Sequence, residues 1–180
     1  MLVTLAGGGL LVKDDRTNLF ALSPLIASLG RRAQGSGRLM QIARPLLQRL
    51  AEESGETASL AMLQGDRWVY LDGVESAQAI RLTLTPGEVF PLHAGCVGKV
   101  LLAYQTDAFV EALLGRTPLE QCTPNTITDP ALLRRAIAEI REQGVGFSDS
   151  ETTPGVRSVC APVFDSDGRT MVCLVLSGPS

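Results

Sequence analysis

The stretch that decides the fold is Pro91-Leu-His-Ala-Gly-Cys-Val-Gly-Lys-Val-Leu-Leu-Ala-Tyr104, in which polar residues run directly into an apolar segment of helical composition. Gly95 and Gly98 allow backbone amides to approach a ligand closely, and the start of a helix presents unpaired N–H groups to a small anion. The same residues fit a plain turn, in which the glycines relieve crowding between a strand and a helix. The residue types alone leave both interpretations open.

Length and composition place the chain among ordinary globular proteins. It has 180 residues, 45% hydrophobic and 19% charged, with a net charge of −3. This suffices for one sizeable core and excludes nucleic-acid binding through bulk positive charge. Residues 1–12 lack the basic segment and cleavage site of a signal peptide, and no run reaches the roughly 18 apolar residues of a membrane span. We expect a cytoplasmic protein with no membrane partner.

The cysteines do not form a familiar metal pattern. Cys96, Cys122, Cys160 and Cys173 are widely spaced, without a CxxC motif or a second histidine, so we expect no metal and no cofactor. Cys160 and Cys173 stand in apolar strand-like runs, which predicts buried thiols. His93 and Cys96 lie three residues apart and leave a small metal or nucleophile site as an alternative, although neither has an acidic partner nearby in sequence.

The first part of the chain reads as the end of a helix, a hairpin and a short helix. Met1–Leu5 is typical of a last helical turn, and Gly7–Leu22 predicts two short strands around a polar turn. Because an isolated hairpin is marginal in water, we expect this part to be cut from something larger. Ser23-Pro24 then begins a helix, and Arg31–Gly37 follows as a linker.

The next elements are a helix and three strands. Apolar residues recur at helical spacing over Arg38–Ser54, and Pro45 inside this segment predicts a bend or two shorter helices. Thr57–Leu63, Arg67–Val74 and Gln78–Leu84 have strand composition and predict an antiparallel meander.

The second half predicts further helices and a final hairpin. Asp107–Leu114 forms a short helix, residues 119–127 are irregular, and residues 128–143 form an amphipathic helix that stops at Gly144. Gly146–Ser148 reads as a polar loop, and Ser158–Phe164 with Thr170–Leu176 as a hairpin. About six strands joined mostly by hairpins, with helices between groups of strands, indicate the α+β class with an antiparallel sheet.

Four motifs and the hairpin Gly9–Leu22 together resemble one family. The motifs are Leu-His-Ala-Gly-Cys-Val-Gly-Lys-Val-Leu-Leu-Ala at 92–103, Glu151-Thr-Thr-Pro-Gly-Val-Arg157, Ala161-Pro-Val163 and Leu176-Ser-Gly-Pro179. In this order and at these separations they resemble the IclR family of bacterial transcriptional regulators. The resemblance covers nearly the whole chain.

The resemblance implies a fold and a domain organisation. It implies a GAF-like antiparallel six-stranded sheet flanked by helices, preceded by a partial winged-helix hairpin. Residues 1–23 would be the remnant of a winged helix-turn-helix domain, comprising the tail of the recognition helix and the wing. Residues 24–37 would be a linker helix, and residues 38–180 the effector-binding domain.

The resemblance also implies how the chain meets DNA. The front of the DNA-binding domain would be absent, and Lys13 and Arg16 of the wing can supply only phosphate contacts. We therefore expect operator binding in the full-length protein only, as a homodimer or homotetramer, and weak or no DNA binding by this polypeptide.

The resemblance places the effector pocket on a glycine loop, an acidic loop and the last two strands. The residues carried over are Gly95, Cys96, Val97 and Gly98 in the loop, Ser148 or Asp149 in the acidic loop, Ser158 on the penultimate strand and Ser177 on the last. Backbone amides and hydroxyls would bind a small organic or aromatic acid. The family often has an acidic residue where Ser148 stands, so the charge preference of the pocket stays open.

Each of these residues also has a purely structural interpretation. Ser177 can cap a strand end, and Asp149 can stabilise a turn. Arg157 is expected to pair with Glu151 or with the loop backbone, and His93 to position the loop through a hydrogen bond of its ring.

Two other functions compete with ligand sensing. One is a small cytosolic enzyme that uses Cys96 and His93 as a nucleophile pair on a GAF-like scaffold, and the other is a structural oligomerisation module without a pocket. If the glycine loop binds the effector, replacing Gly98 by a β-branched residue should abolish ligand response before it abolishes folding.

Overall fold

The structure, a computed structural model, describes residues 1–14, 16–26, 36–115 and 118–180, with the backbone alone at 36–38. It divides into two compact units, Met1–Ala43 and Arg44–Ser180. None of the helices in this described part is long and apolar enough to cross a membrane.

The first unit contains a short helix and a hairpin, as the sequence predicts. Helix α1 (Leu2–Gly7) precedes strands β1 (Leu11–Lys13) and β2 (Phe20–Leu22), which pair antiparallel. Lys13 and Arg16 are exposed on this hairpin. The expected partial winged helix stays a prediction, because a two-stranded hairpin beside one helical turn does not specify the rest of such a domain.

The linker region is described only at its start. Ser23 Oγ accepts a hydrogen bond from the backbone N–H of Leu25 at 3.0 Å, which is the N-cap that Ser23-Pro24 predicts. The rest of the predicted linker helix, apart from the beginning of the next helix, lies outside the described residues.

The second unit carries the sheet and the remaining helices. In chain order the elements are α2 (Ser36–Ser54, which begins in the first unit), β3 (Thr57–Gln64), β4 (Arg67–Val74), β5 (Val89–Pro91), α3 (Gly95–Ala103), α4 (Asp107–Leu114), α5 (Pro130–Gln143), β6 (Gly146–Asp149), β7 (Val156–Phe164) and β8 (Thr170–Pro179).

The sheet has six strands in the order β5-β4-β3-β8-β7-β6, and every neighbouring pair is antiparallel. The α+β class and the antiparallel six-stranded sheet are confirmed. Strand β8, the last in the chain, lies between β3 and β7 and pairs with both. It therefore joins strands β3, β4 and β5 to strands β6 and β7 in a single sheet.

The predicted strand Gln78–Leu84 is wrong, and β5 takes its place beside β4. The backbone of this segment forms hydrogen bonds with side chains instead of with a neighbouring strand. Thr57 Oγ1 donates to the Leu82 carbonyl at 2.8 Å, and the Glu75 carboxylate accepts from the Leu84 N–H at 3.2 Å. Strand composition was insufficient here, because these hydrogen bonds come from residues distant in sequence.

The predicted polar loop Gly146–Ser148 is also wrong, because these residues form the edge strand β6. Gly146 lies opposite Cys160 on β7. A Cβ atom at Gly146 would come within 2.6 Å of Val100 Cγ2 on α3, so only glycine lets the helix pack this close to the strand. The strand depends on pairing with β7, and its glycine on packing under α3, and neither contact is visible in the tripeptide itself.

The helices follow their sequence signals closely. Asp129 caps α5 by accepting from Ala131 N–H at 2.7 Å, and Gly144 ends it in the left-handed conformation with φ +74°. Thr106 caps α4 in the same way. Helix α2 continues through Pro45 as one helix, so the two-helix alternative is not adopted.

Helix α3 forms the centre of the core. All nine of its residues are buried. It packs against β6, β7 and β8 on one side and α5 on the other. The opposite face of the sheet meets α2, where Arg44 Nη1 donates to Asp72 of β4 at 2.9 Å.

Gly98 lies where α3 packs closely against the turn that follows β5. A Cβ atom at this position would overlap the backbone carbonyl of Leu92 and lie 3.2 Å from Trp68 Cδ1. A backbone carbonyl in a buried turn cannot move aside as a flexible side chain can. We therefore expect that replacing Gly98 affects folding first, whereas the sequence suggested that ligand response would be lost first.

We predict that Gly98→Ala lowers the free energy of unfolding by about 1–3 kcal/mol, the usual cost of overpacking a core. Urea denaturation followed by circular dichroism measures the change. Gly115→Ala is the matched control, because Gly115 ends α4 with ordinary helical angles and a Cβ there would meet nothing nearer than Glu111 O at 3.3 Å. Equal stability of Gly98→Ala and the control would contradict this packing argument.

Candidate functional site

A row of hydroxyl side chains crosses four strands of the sheet. Ser148 on β6 lies opposite Ser158 on β7, Ser158 opposite Ser177 on β8, and Ser177 opposite Thr57 on β3. Directly opposed residues of antiparallel strands project from the same face, here the face that α3 covers. The Oγ atoms of Ser158 and Ser177 are hydrogen-bonded at 2.8 Å. Because side chains alternate between the two faces of a strand, residues up to 120 positions apart in the sequence meet on one face of the sheet.

A cleft with a volume of about 440 Å³ opens at the β6–β7 edge of the sheet. This volume lies in the range of small-molecule pockets, roughly 300–1,000 Å³. Ser148 and Ser158 are the two members of the hydroxyl row that line it. The complete lining is Phe147, Ser148, Asp149, Glu151, Arg157, Ser158 and Val159.

A buried ion pair closes one side of the cleft. Glu151, in the loop between β6 and β7, pairs with Lys99 of α3, and the two residues are only 7% and 5% exposed. The second carboxylate oxygen of Glu151 accepts from the Gly95 N–H at 3.3 Å, and Lys99 Nζ also donates to the Phe147 carbonyl at 3.0 Å. The pair therefore fastens the start of α3 to the strand and loop that form the cleft.

This geometry changes the interpretation of the helix start. The Gly95 N–H at the start of α3, which the sequence offered to an effector, donates to the chain's own carboxylate. A carboxylate at a helix N-terminus also interacts favourably with the helix dipole. Gly95 is consequently part of the wall that holds the cleft.

Two threonines hold the Glu151 loop from the other side. Thr126 Oγ1 donates to the Glu151 carbonyl at 2.7 Å, and Thr123 Oγ1 donates to the Ser150 carbonyl at 2.6 Å. Both threonines are buried in a segment without regular structure. Sequence reasoning missed them, because an irregular segment gives no signal that its side chains reach a distant loop.

Asp149 and Arg157 form a second, exposed ion pair at the cleft. Arg157 Nε donates to Asp149 Oδ2 at 2.8 Å. The Arg157 hydrogen bond, followed by one from Ser150, holds the pKa of the Asp149 carboxyl below its usual value. The expected pairing of Arg157 with Glu151 is wrong, because Lys99 holds Glu151 and Asp149 stands opposite Arg157 in the strand register.

Cys96 lies beneath this edge of the sheet, 2% exposed. Hydrogen bonds from the thiol of Cys160 and the hydroxyl of Ser148 lower the pKa of Cys96 against the opposing effect of burial. Cys96 is not among the residues that line the cleft.

Tyr70 belongs to the same face, although the sequence did not point to it. Tyr70 lies opposite Ala61 of β3, and Ala61 lies opposite Cys173 of β8, so Tyr70 shares the face of the sheet that carries Cys173 and Ser177. Burial raises the pKa of Tyr70 well above its usual value, so its phenol remains protonated. Trp68 and Tyr70 are two positions apart on β4 and therefore share a face, and this pattern in the sequence could have indicated Tyr70.

The expected site residues therefore divide into two groups. Ser148, Asp149 and Ser158 line the cleft, and Ser177 joins them through Ser158. The remaining four lie in the core or wall around α3, where Val97 packs in the hydrophobic cluster; these residues are Gly95, Cys96, Val97 and Gly98.

His93 does not meet Cys96 as a nucleophile pair would require. Its Nε2 is 2.7 Å from the Glu120 carbonyl and donates to it, because a carbonyl can only accept. The ring thus positions the turn before α3, as expected from the sequence. Among the described residues, no group of three or more histidine, cysteine or acidic side chains has the arrangement of a metal site.

Comparison with known proteins identifies the family. The model of the C-terminal domain of the bacterial transcriptional regulator IclR matches residues 32–180. The chain belongs to the IclR family of bacterial transcriptional regulators. The HTH-type transcriptional regulator BhcR of Paracoccus denitrificans is 37% identical over 180 residues, which are the whole of this chain and 64% of that protein. The chain thus spans less than two thirds of the length of this IclR-family relative.

Solved IclR-family structures share the fold. The IclR transcriptional regulator of Alicyclobacillus acidocaldarius is 29% identical, with a TM-score of 0.85 over 99% of this chain and 72% of that one. An IclR homologue of Microbacterium hydrocarbonoxydans, crystallised with 4-hydroxybenzoate, is 24% identical, with a TM-score of 0.87 over 98% of this chain and 72% of that one. At that identity the second likeness concerns the fold alone.

We predict that removing either partner of the Lys99–Glu151 ion pair destabilises the folded protein. Lys99→Met and Glu151→Leu should each lower the free energy of unfolding by about 3–5 kcal/mol, because each leaves a buried charge without its partner. Urea denaturation of both single variants and of the double variant forms a double-mutant cycle.

The double variant should lose less stability than the sum of the single variants, because it leaves no charge behind. Arg135→Ala is the control, since the exposed pair of Arg135 with Glu139 at 3.1 Å should contribute about 0–1 kcal/mol. Additive losses in the cycle would show that Lys99 and Glu151 act independently, contrary to this prediction.

Proposed function

We propose that this chain is the effector-sensing part of a transcriptional regulator and binds a small organic or aromatic acid in the β6–β7 cleft. The observation that carries the proposal is the row of hydroxyls that enters this cleft through Ser148 and Ser158. Ligand binding there changes how paired DNA-binding domains engage operator DNA, because a ligand shifts an equilibrium by its differential affinity for the two states.

The chemistry of the lining favours an acid with an apolar body. Ser148 and Ser158 offer hydroxyl donors on the face toward α3, and Phe147 and Val159, one position along each strand, offer apolar surface on the other side of the edge strand. Both carboxylates of the lining are neutralised within the protein, Glu151 by Lys99 and Asp149 by Arg157. An anionic ligand therefore meets no unpaired negative charge, and the Arg157 guanidinium, which is paired with Asp149, still has further N–H donors.

The IclR homologue crystallised with 4-hydroxybenzoate supplies a probe of this chemistry. That ligand combines a carboxylate, an apolar ring and a hydroxyl, which are the groups that the cleft and the hydroxyl row could bind. Catalysis is not part of the proposal, because the BhcR relative is named as a transcriptional regulator and His93 is bound to Glu120 instead of Cys96.

The proposed organisation follows the family. Residues 1–23 are the remnant of the winged helix-turn-helix domain, residues 24–37 are the linker helix, and residues 38–180 are the effector-binding domain. In the full-length regulator a cytoplasmic homodimer or homotetramer binds operator DNA. Lys13 and Arg16, exposed on the hairpin, contribute phosphate contacts only.

We predict that Ser158→Ala weakens acid binding measurably. Loss of one hydrogen bond of about 0.5–1.5 kcal/mol corresponds to roughly a 2- to 12-fold increase in Kd. Isothermal titration with 4-hydroxybenzoate and a panel of small organic and aromatic acids measures it. Ser166→Ala, in the exposed turn between β7 and β8, is the control. If no acid in the panel binds, or if both serine variants behave alike, the cleft is not the effector site.

A second prediction concerns DNA and assembly. Gel-shift titration with duplexes from the region upstream of the gene should show weak binding that salt abolishes, because the hairpin provides phosphate contacts without base readout. Light scattering should show a dimer or tetramer at micromolar concentration. Tight sequence-specific binding would contradict the phosphate-only role of the hairpin, and a strict monomer would contradict the oligomeric proposal.

A further inference from the structure

One buried hydroxyl on the α3 face of the sheet lacks a hydrogen-bond partner. Ser59 of β3 is 0% exposed, and its Oγ atom makes no hydrogen bond to any of the described residues. Leaving a buried polar group unpaired is costly, and most buried polar groups of folded proteins have a partner. The Ser59 hydroxyl therefore has a free donor and acceptor for a partner from outside the chain.

Ser59 lies beside the row of hydroxyls. It follows Thr57, a member of the row, by two positions and thus projects from the same face of β3. Thr57 is opposite Ser177 on β8, whereas Ser59 is opposite Val175. Ser59 and Ser177 are consequently diagonal neighbours, whose Cα atoms are about 7–8 Å apart in a sheet. A six-membered ring with a polar group at each end spans the space between two such side chains.

The side chain of Leu84 lies next to Ser59. On β4 the residue opposite Ser59 is Gly73, which has no side chain. A Cβ atom built on Gly73 would overlap Leu84 Cδ1 and lie 2.9 Å from Ser59 Cβ. Leu84 therefore rests on the sheet where a side chain of β4 would otherwise stand. An apolar side chain of the protein thus fills a position that suits the apolar body of a ligand.

The segment that carries Leu84 lies over this part of the sheet as a cover. The cover, residues 77–85, has no regular structure, and most of its residues are exposed. Ile80 near its middle is 76% exposed. Segments with little burial open locally at a lower free energy than the core does. The cover can therefore leave the sheet while the rest of the second unit stays folded.

Glu75 and Thr57 fasten the cover in its closed position. The Glu75 carboxylate accepts from the Leu84 N–H at 3.2 Å and from Arg81 Nε at 3.0 Å. Arg81 and Glu75 are partly exposed, and an ion pair at such a position contributes little stability. Thr57 Oγ1 donates to the Leu82 carbonyl at 2.8 Å. Because Thr57 belongs to the hydroxyl row, a ligand bound along the row competes with the cover for it.

We propose that the cover opens to admit an aromatic acid, and that Ser59 is a specificity-determining residue that hydrogen-bonds a second polar group on the ring. The ring takes the place of Leu84, and the carboxylate stays at the hydroxyls of Ser158 and Ser177, which are 2.8 Å apart. This inference rests on the proposed ligand-sensing function and specifies its ligand as an aromatic acid with a polar group opposite the carboxylate. Without a ligand, Leu84 keeps the inner position closed.

A thiol at position 59 measures the opening of the cover without any ligand. In Ser59→Cys, the folded chain is labelled with iodoacetamide, and each site is followed by mass spectrometry. Labelling at position 59 should be about tenfold or more faster than at Cys173, because only the cover has to open. Cys173 is the internal control, since it is 0% exposed on the same face and packed in the core cluster. Equal rates at the two sites would overturn the movable cover.

A second substitution on the cover tests the position of Leu84. Adding Leu84→Ala to Ser59→Cys should accelerate labelling at position 59, because the side chain beside that position is shortened. Adding Ile80→Ala, an equally apolar but exposed residue of the cover, is the matched control and should leave the rate unchanged. Equal effects of the two substitutions would show that Leu84 does not shield position 59.

Ligand discrimination tests the role of Ser59. Isothermal titration compares 4-hydroxybenzoate with benzoate, which lacks the hydroxyl opposite the carboxylate. In Ser59→Ala the preference for 4-hydroxybenzoate over benzoate should fall about 2- to 12-fold, the effect of losing one hydrogen bond. Ile80→Ala should keep the preference of the unaltered chain. An unchanged preference in Ser59→Ala would overturn the role of Ser59.

The outcomes separate this inference from the proposed function. Weaker binding in Ser158→Ala together with an unchanged preference in Ser59→Ala would support the effector site and overturn the inner position. If neither acid binds to the unaltered chain, the ligand-binding role of Ser59 falls with the proposed function. The labelling rates at position 59 decide the movable cover in either case, because they require no ligand.

Discussion

The buried ion pair of Lys99 and Glu151 is the interaction on which the site depends. It joins the helix at the centre of the core to the loop that follows the edge strand, and Gly95 and Phe147 contribute backbone groups to it. Because desolvating two charges is costly, such a pair is tolerable only when these extra hydrogen bonds satisfy it. The pair therefore orders the cleft more than it increases net stability.

The pair also decides how a ligand can be recognised. In the proposed effector site, with Gly95 bound to Glu151, recognition would fall to the hydroxyls of Ser148 and Ser158 and to the N–H groups of Arg157. Hydroxyls can donate or accept, so a sheet face lined by them suits several small acids with different polar groups. This adaptability fits a sensory domain, in which small changes in lining residues alter the preferred ligand while the fold is maintained.

The residues that were hardest to predict share one physical property. Thr123, Thr126 and Tyr70 act through contacts with residues distant in sequence, and the local pattern around each is ordinary. Gly146 was predicted to lie in a loop. The need for a glycine at this position arises from helix α3, which packs against it, and the local sequence does not show that contact. Periodicity reports which face of an element is buried, and it does not report what covers that face.

The sequence by itself determined the class, the helix ends and the final hairpin, because caps such as Asp129 and Gly144 and the alternation of apolar residues act within a few positions of the chain. It also determined the family, through motifs around α3 and Glu151. Only the tertiary structure decided that Glu151 holds the helix start and that Gly95, Cys96, Val97 and Gly98 lie in the core or wall and do not line the cleft. The physical reason is that strand register and buried charge pairing join residues that no local pattern connects.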